Sequence, residues 1–193
     1  MKTLIISLLL LLCAPVYSNF NQIEELADTV SEVEVLIETR AFLRELNEQR
    51  DNGIKIDEDA VLKVEAKVER IARSGCDCEE EYVNDILRSQ AYALVAGING
   101  ILAKGSYDIG KGRKSYRALE KARELDPTNT DAVKGQAVAL NMILSKSWVV
   151  RKLAATALGI NLRDAQKELI EDLRGFGDRA DLQKLADQLE DKL

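Results

Sequence analysis

The stretch ALEKARELDPTN, residues 118–129, is the part of the chain that decides the fold. Small Ala122 and large apolar Leu119 lie three positions apart, on one face of a helix. Pro127 ends that helix, because proline cannot donate the next backbone hydrogen bond. A further helix is expected to begin near Asp131. The stretch therefore predicts two helices joined by a short turn and packed closely through small residues.

Helical periodicity extends from this stretch toward both ends of the chain. Apolar residues recur three and four positions apart, which is the spacing of one helix face. No segment alternates with period two for long enough to predict a strand. Successive helices with short breaks predict an all-α fold of about seven helices. We expect antiparallel hairpins, arranged either as a right-handed helical repeat or as a helical bundle.

Turn and capping residues give the expected helix boundaries. Asp57 can cap the second helix and Gly75 can end it, whereas the glycine-rich residues 105–112 are expected to form a flexible turn. The predicted helices run over about 23–51, 57–75, 79–104, 114–125, 131–158, 161–175 and from 178 onward.

Residues 137–160 are strongly apolar and would be long enough to suggest a membrane span. Lys146, Arg151 and Lys152 lie in the middle of this segment, where charged side chains make a bilayer span costly. We therefore expect a buried central helix, or a helix pair broken near residues 145–147.

Residues 99–137 resemble a tetratricopeptide repeat, a helical hairpin of about 34 residues in which small and large side chains occupy set positions. Small residues allow close helix packing, large ones fill the gap, and neighbouring units must stack to bury the apolar face. The resemblance implies that a protein or peptide partner binds in a concave groove. It assigns packing roles to Leu102, Ala103, Ser115, Leu119, Ala122, Pro127, Ala132 and Ala137.

The first eighteen residues have the three-part layout of a secretory signal peptide. Lys2 gives a positive start, an apolar run too short to span a bilayer follows, and small Ser18 marks the expected cleavage site. This predicts a periplasmic or secreted protein whose single TPR-like domain covers residues 19–193. Its expected parts are N-terminal helices at 19–75, the repeat region at 79–145 and C-terminal helices at 146–193.

Cys13 offers an alternative for the N-terminus, because a bacterial lipoprotein signal ends in a cysteine that becomes lipidated. Leu12 precedes it, where such a signal favours a small residue. Cleavage after Ser18 fits the sequence better, and a membrane-anchored lipoprotein is the alternative.

Cys76 and Cys78 are candidates for a local disulfide, since exported chains meet oxidising conditions. Free thiols and bonding to another chain remain open, and a ring between residues two apart would be strained. Redox activity and metal binding are weaker hypotheses for this pair.

The sequence contains no histidine, which excludes a Ser-His-Asp or Cys-His catalytic arrangement and every histidine-ligated metal centre. Residues 105–112 match a phosphate-binding loop except at Gly112, where that loop needs Ser or Thr. We therefore predict no catalytic residues, no metal and no cofactor. A carboxylate-dependent enzyme is a distant third hypothesis, because the spacing of the acids separates no catalytic pair from a solvated helix face.

The net charge of −6 argues against a general nucleic-acid binder. Four cations nonetheless crowd the start of the fourth predicted helix, where the helix dipole disfavours positive charge: Lys111, Arg113, Lys114 and Arg117. They form a candidate surface for an acidic partner protein or for peripheral association with anionic lipid headgroups, and a solvated turn is the alternative.

Together these features predict an exported protein-binding module, acting as an adaptor or assembly factor of a bacterial cell-envelope complex. The alternative is a membrane-attached structural subunit of such a complex, lipidated at Cys13.

Overall fold

The computed structural model describes residues 21–75, 81–106 and 108–193, with side chains described for all of these except 21–30 and 104–106. All regular secondary structure within those ranges is helical, which confirms the predicted all-α fold. The helices of the described ranges are α1 (Asn21–Asp51), α2 (Glu58–Ser74), α3 (Glu81–Ser106), α4 (Ile109–Leu125), α5 (Thr130–Leu144), α6 (Trp148–Leu158), α7 (Leu162–Gly175) and α8 (Ala180–Glu190).

The fourth helix begins earlier than the sequence predicted. Instead of starting near Lys114, α4 starts at Ile109, because the Asp108 carboxylate accepts a hydrogen bond of 3.1 Å from the backbone N–H of Lys111. This cap satisfies one of the free N–H groups of the first turn, so the helix forms despite Gly110 and Gly112. The prediction of a flexible turn over residues 105–112 is therefore wrong for 109–112, and also for 105–106, which belong to α3.

Helices α3 and α4 form a closely packed antiparallel hairpin. The hydroxyl of Ser89 on α3 donates to the carbonyl of Ala122 on α4 at 2.8 Å, and that of Ser115 on α4 donates to the carbonyl of Ala96 on α3, also at 2.8 Å. Residue numbers rise on α3 as they fall on α4, as an antiparallel pair requires. A Cβ atom added at Gly112 would lie 3.9 Å from the Cβ atom of Ala103. Helices α3 and α4 are therefore close together near the turn that joins them.

The N-terminal helices pack on this hairpin, and α2 runs antiparallel to α3. Asn99 on α3 donates to Glu65 on α2 at 2.7 Å, while the Arg88 side chain reaches the Ala72 carbonyl at 3.3 Å, so α2 and α3 are antiparallel. Helix α1 packs against both of them.

Helix α5 belongs to two hydrophobic cores at once. Ala132 lies in the core formed by α1, α2, α3 and α4. Val133, Ala137 and Leu140 lie in a second core with α7 and α8. The two cores are therefore continuous through one helix of 15 residues.

One described stretch, Glu81–Ala103 of α3, is long and apolar enough to cross a membrane, and more than half of its most apolar part is buried inside the protein. It packs between α2 and α4, with α1 alongside. Helix α3 therefore lies where the central helix of a globular core would lie.

The apolar segment 137–160 is not one buried helix. The chain breaks at Ser145, which ends α5, and resumes at Trp148 as α6, so the expected fifth helix is a pair. The expected burial is wrong for α6, because Trp148 and Leu153 are each 65% exposed. Helix α6 contacts only α4 and α5 appreciably, so no described helix covers its outer face.

Several predictions concern parts of the chain outside the described residues. These are the signal peptide at 1–18, lipidation of Cys13, and the disulfide between Cys76 and Cys78. They stay predictions.

Candidate partner-binding groove

Most positions that the repeat resemblance assigns to packing lie at helix contacts. Ala122, Ala132 and Ala137 have no exposed surface, and Leu102 and Leu119 are buried. Ala103 and Ser115 are half-buried between α3 and α4, whereas Pro127 is exposed in the turn before α5. The residues of this set that are small and buried lie between helices α3, α4, α5, α7 and α8.

The four cations proposed as a partner surface do not share one environment. The Lys114 ammonium lies 2.6 Å from a carboxylate oxygen of Glu65 and also contacts Glu69, so it joins α4 to α2. Desolvation lowers the Lys114 pKa, but hydrogen bonds to Glu65 and Glu69 outweigh it and hold that pKa above its ordinary value. Lys114 is therefore engaged within the fold.

Arg117 is also engaged within the fold. One guanidinium nitrogen donates to Glu120 at 2.6 Å, and another donates to the carbonyl of Leu158, the last residue of α6. This bond satisfies one of the free carbonyls at a helix end. Lys111 and Arg113, in contrast, have no ion pair with any described residue.

An apolar groove of about 530 Å³ lies where α6 crosses the ends of α3, α4 and α5. Its small lining residues include Ala103, Ala139 and Ala154, which leave space between the helices. Larger side chains also border it, namely Ile109, Met142, Ile143 and Val150. Such a volume lies within the range of pockets that hold ligands or anchoring side chains.

The outer face of α6 continues this apolar surface. Trp148, Val149, Val150 and Leu153 are all exposed, and Met142 and Ile109 are exposed near the groove. Contiguous apolar surface of this kind is uncommon on a monomeric protein and usually marks an interaction site.

Cations surround the groove and the outer face of α6. Arg113 and Lys146 line the groove, and the Lys152 ammonium lies 5.2 Å from the centre of the Trp148 ring. The Nε atom of Arg151 is buried and has no hydrogen-bond partner among the described residues. Within the described ranges, none of these four side chains forms an ion pair.

Sequence reasoning missed this second group of cations as a surface. Lys146, Arg151 and Lys152 were considered only as obstacles to a membrane span, although their position beside Trp148 was visible. The exposure of α6 was the missing observation, since an apolar sequence alone does not reveal which helix lacks a neighbour.

The groove offers mainly apolar contacts. The groove is lined mainly by apolar side chains, together with Ser115, Tyr116 and two cations, and no carboxylate or thiol is among its lining residues in the described part of the chain. Over the same part of the chain, no His, Cys, Asp and Glu side chains are grouped to hold a metal ion.

The sequence matches no protein-family model, no curated protein and no solved structure.

Proposed function

We propose that this chain is an exported, TPR-like protein-binding module that serves as an adaptor or assembly factor of a bacterial cell-envelope complex. Its partner is a protein segment that carries apolar and acidic side chains and docks in the groove beside α6. The observation that carries the proposal is the exposed apolar face of α6, bordered by cations that no acidic residue of the described chain neutralises.

Burial of this face would supply the affinity. Fully burying one large apolar side chain contributes about 1.5–3 kcal/mol, and Trp148 and Leu153 are each 65% exposed. Tryptophan is also enriched among the residues that dominate binding energy at interfaces. The groove next to these side chains offers space for an anchoring side chain of the partner.

The surrounding cations would supply selectivity. Arg113, Lys146 and Lys152 favour a partner with carboxylates near its apolar residues and disfavour a basic one. Because these charges are near the rim, they would act mainly on the rate of association and on its dependence on salt.

The shape supports a protein partner over a lipid surface. A membrane-surface helix buries its whole apolar face in the lipid interface, whereas the inner side of α6 packs on α4 and α5. The adjoining groove is concave and fits inserted side chains better than a flat lipid interface.

A photo-crosslinking amino acid in place of Leu153 tests the proposal in native cells. The matched control carries it in place of Leu62, which is 52% exposed on α2. We expect a protein crosslink from position 153 and none of the same mass from position 62. Crosslinking from position 153 to lipid alone would contradict a protein partner.

The crosslinked segment of the partner can then be titrated in solution. Trp148 is the single tryptophan of the chain, so its fluorescence reports docking at α6 directly. Leu153→Ser should weaken binding about tenfold or more, while Leu62→Ser should leave it within about twofold. Equal affinities of the wild type and Leu153→Ser would dismiss the groove as the docking site.

A further inference from the structure

The first half of α1 combines acidic residues with apolar residues at helical spacing. Residues 21–39 contain six acidic residues and no basic one: Glu24, Glu25, Asp28, Glu32, Glu34 and Glu38. Over the same segment, apolar residues recur three and four positions apart, at 23, 26, 30, 33 and 37. This is the chemistry that the proposed function requires of a segment that docks beside α6.

Part of this segment presents that chemistry to solvent. Ile37 is 53% exposed, and Glu34 and Glu38 beside it are exposed as well. Neither carboxylate forms an ion pair with any described residue. Glu34 and Glu38 lie four positions apart, where like charges repel on a helix surface. A cation from another molecule would relieve this repulsion.

Helix α1 also projects beyond its neighbour α2. The two helices are antiparallel, and a guanidinium nitrogen of Arg70 on α2 lies 3.7 Å from a carboxylate oxygen of Glu32. Helix α1 begins eleven residues before Glu32, whereas α2 ends four residues after Arg70, so α1 extends about 10 Å farther. A second molecule can therefore approach this end of α1 without meeting α2.

The surface around α6 has the opposite charge. Residues 132–163 contain no acidic residue and five basic ones: Lys134, Lys146, Arg151, Lys152 and Arg163. Lys146 lines the apolar groove, and Lys152 lies against Trp148. Helix α1 packs on α2 and α3, whereas α6 packs on α4 and α5, so the acidic and basic faces do not pack on each other within one molecule.

We propose that α1 of one copy of this chain docks in the groove beside α6 of a second copy, with Ile37 against the apolar lining. Glu34 and Glu38 of the first copy then face the cations around that groove. This inference rests on the proposed function, because it names the segment that fills the same groove. Pairing of α6 with α6 is disfavoured, since it would bring like charges together.

The association is head-to-tail, because each copy contributes a different face to the contact. One copy therefore keeps a free α1 and the other a free groove, and further copies can add at either end.

Two variants of the full chain, each with one face altered, test this contact. Ile37→Ser with Glu38→Lys alters α1, and Leu153→Ser with Lys152→Glu alters α6. In sedimentation velocity, the mass of the wild type should increase with concentration. Each variant alone should associate about tenfold or more weakly. An equimolar mixture should form a dimer and nothing larger, because each variant supplies the face that the other lacks.

The matched control is Leu62→Ser with Glu171→Lys, which makes the same chemical changes at an exposed residue of α2 and an exposed acid of α7. It should associate within about twofold of the wild type, and raised salt should weaken the association of both. Circular dichroism checks the folding of each variant. The proposal is overturned if the wild type stays monomeric up to about 1 mM, or if the mixture fails to dimerise.

The crosslinking experiment at position 153 separates this proposal from the proposed function. We expect a crosslinked product of twice the mass of the chain. A crosslink to a different protein, together with a monomeric wild type, would retain the groove as a docking site and overturn its occupation by α1. The absence of any protein crosslink, together with a monomeric wild type, would overturn both.

Discussion

At the scale of single residues, Ala122 determines how closely α3 and α4 can approach. It has no exposed surface, and its carbonyl accepts the hydrogen bond from Ser89 on the facing helix. A methyl group is the largest side chain that fits this position without moving the two helices apart.

Ala122→Trp should therefore lower the free energy of unfolding by about 3 kcal/mol or more, because even added methylenes in a packed core cost about 1–3 kcal/mol. Urea denaturation followed by circular dichroism measures the change. Ala66→Trp, at an exposed position of α2, is the control and should alter stability by less than about 0.5 kcal/mol. Similar results for the two variants would mean that close packing at Ala122 contributes nothing to stability.

Lys114 illustrates what the sequence could not predict at this scale. The crowd of four cations was visible from their spacing along one helix. The partners Glu65 and Glu69 lie on α2, far away in the sequence, and only the folded chain brings them to Lys114. Charge patterns reveal which side chains are available, but ion pairing depends on which helices meet.

At the scale of helices, the start of α5 is fixed by a buried cap. The Asn129 side chain accepts hydrogen bonds from the backbone N–H groups of Asp131 and Ala132, each at 3.1 Å. Its amide also donates to Ser89 at 2.7 Å, and Ser89 in turn donates to Ala122. This chain of bonds ties α3, α4 and α5 together.

Replacement of Asn129 by alanine should cost more than the loss of an ordinary cap, which is typically about 1 kcal/mol. The same change at Asn161, an exposed cap of α7, gives the reference value. We expect Asn129→Ala to cost about 1–2 kcal/mol more than Asn161→Ala, since it also deprives buried Ser89 of its donor. Equal losses in chemical denaturation would show that the bond to Ser89 adds no stability.

The helices themselves were largely predictable, and their environments were not. Asp57, Gly75 and Asn161 lie at the boundaries expected from capping chemistry. The cap at Asp108 was overlooked because two glycines follow it, and glycine ordinarily disfavours a helix. The exposure of α6 was also missed, since apolar periodicity predicts a buried face even where no neighbour covers it.

At the scale of the whole molecule, alkaline pH should weaken the fold. Tyr116 has a pKa of about 12 in the folded protein and 10.0 in its ordinary state. Above pH 10 the unfolded chain releases this proton while the folded chain keeps it, so stability falls as the pH rises from 10 to 12. The difference corresponds to about 3 kcal/mol. Lys114 acts in the same direction but contributes less, because its side chain is half-exposed.

Urea denaturation at a series of pH values measures this loss. Tyr116→Phe should remove most of it, and should change stability by less than about 1 kcal/mol at pH 7, where the hydroxyl has no partner among the described residues to lose. Tyr82→Phe, at a residue that is 75% exposed, should leave the pH dependence of the wild type intact. The expectation fails if the wild type and Tyr116→Phe lose stability in parallel above pH 10.

Helix α5 has a consequence for the order in which the chain can fold during synthesis. Ribosomes deliver the N-terminal residues first, and domains commonly fold as units as they emerge. The N-terminal core lacks Ala132 until α5 has emerged, while α7 and α8 would have only each other to pack against without Val133, Ala137 and Leu140. Nascent chains that end before residue 130 therefore expose apolar surface of α3 and α4, and chaperones would find their binding sites there until α5 arrives.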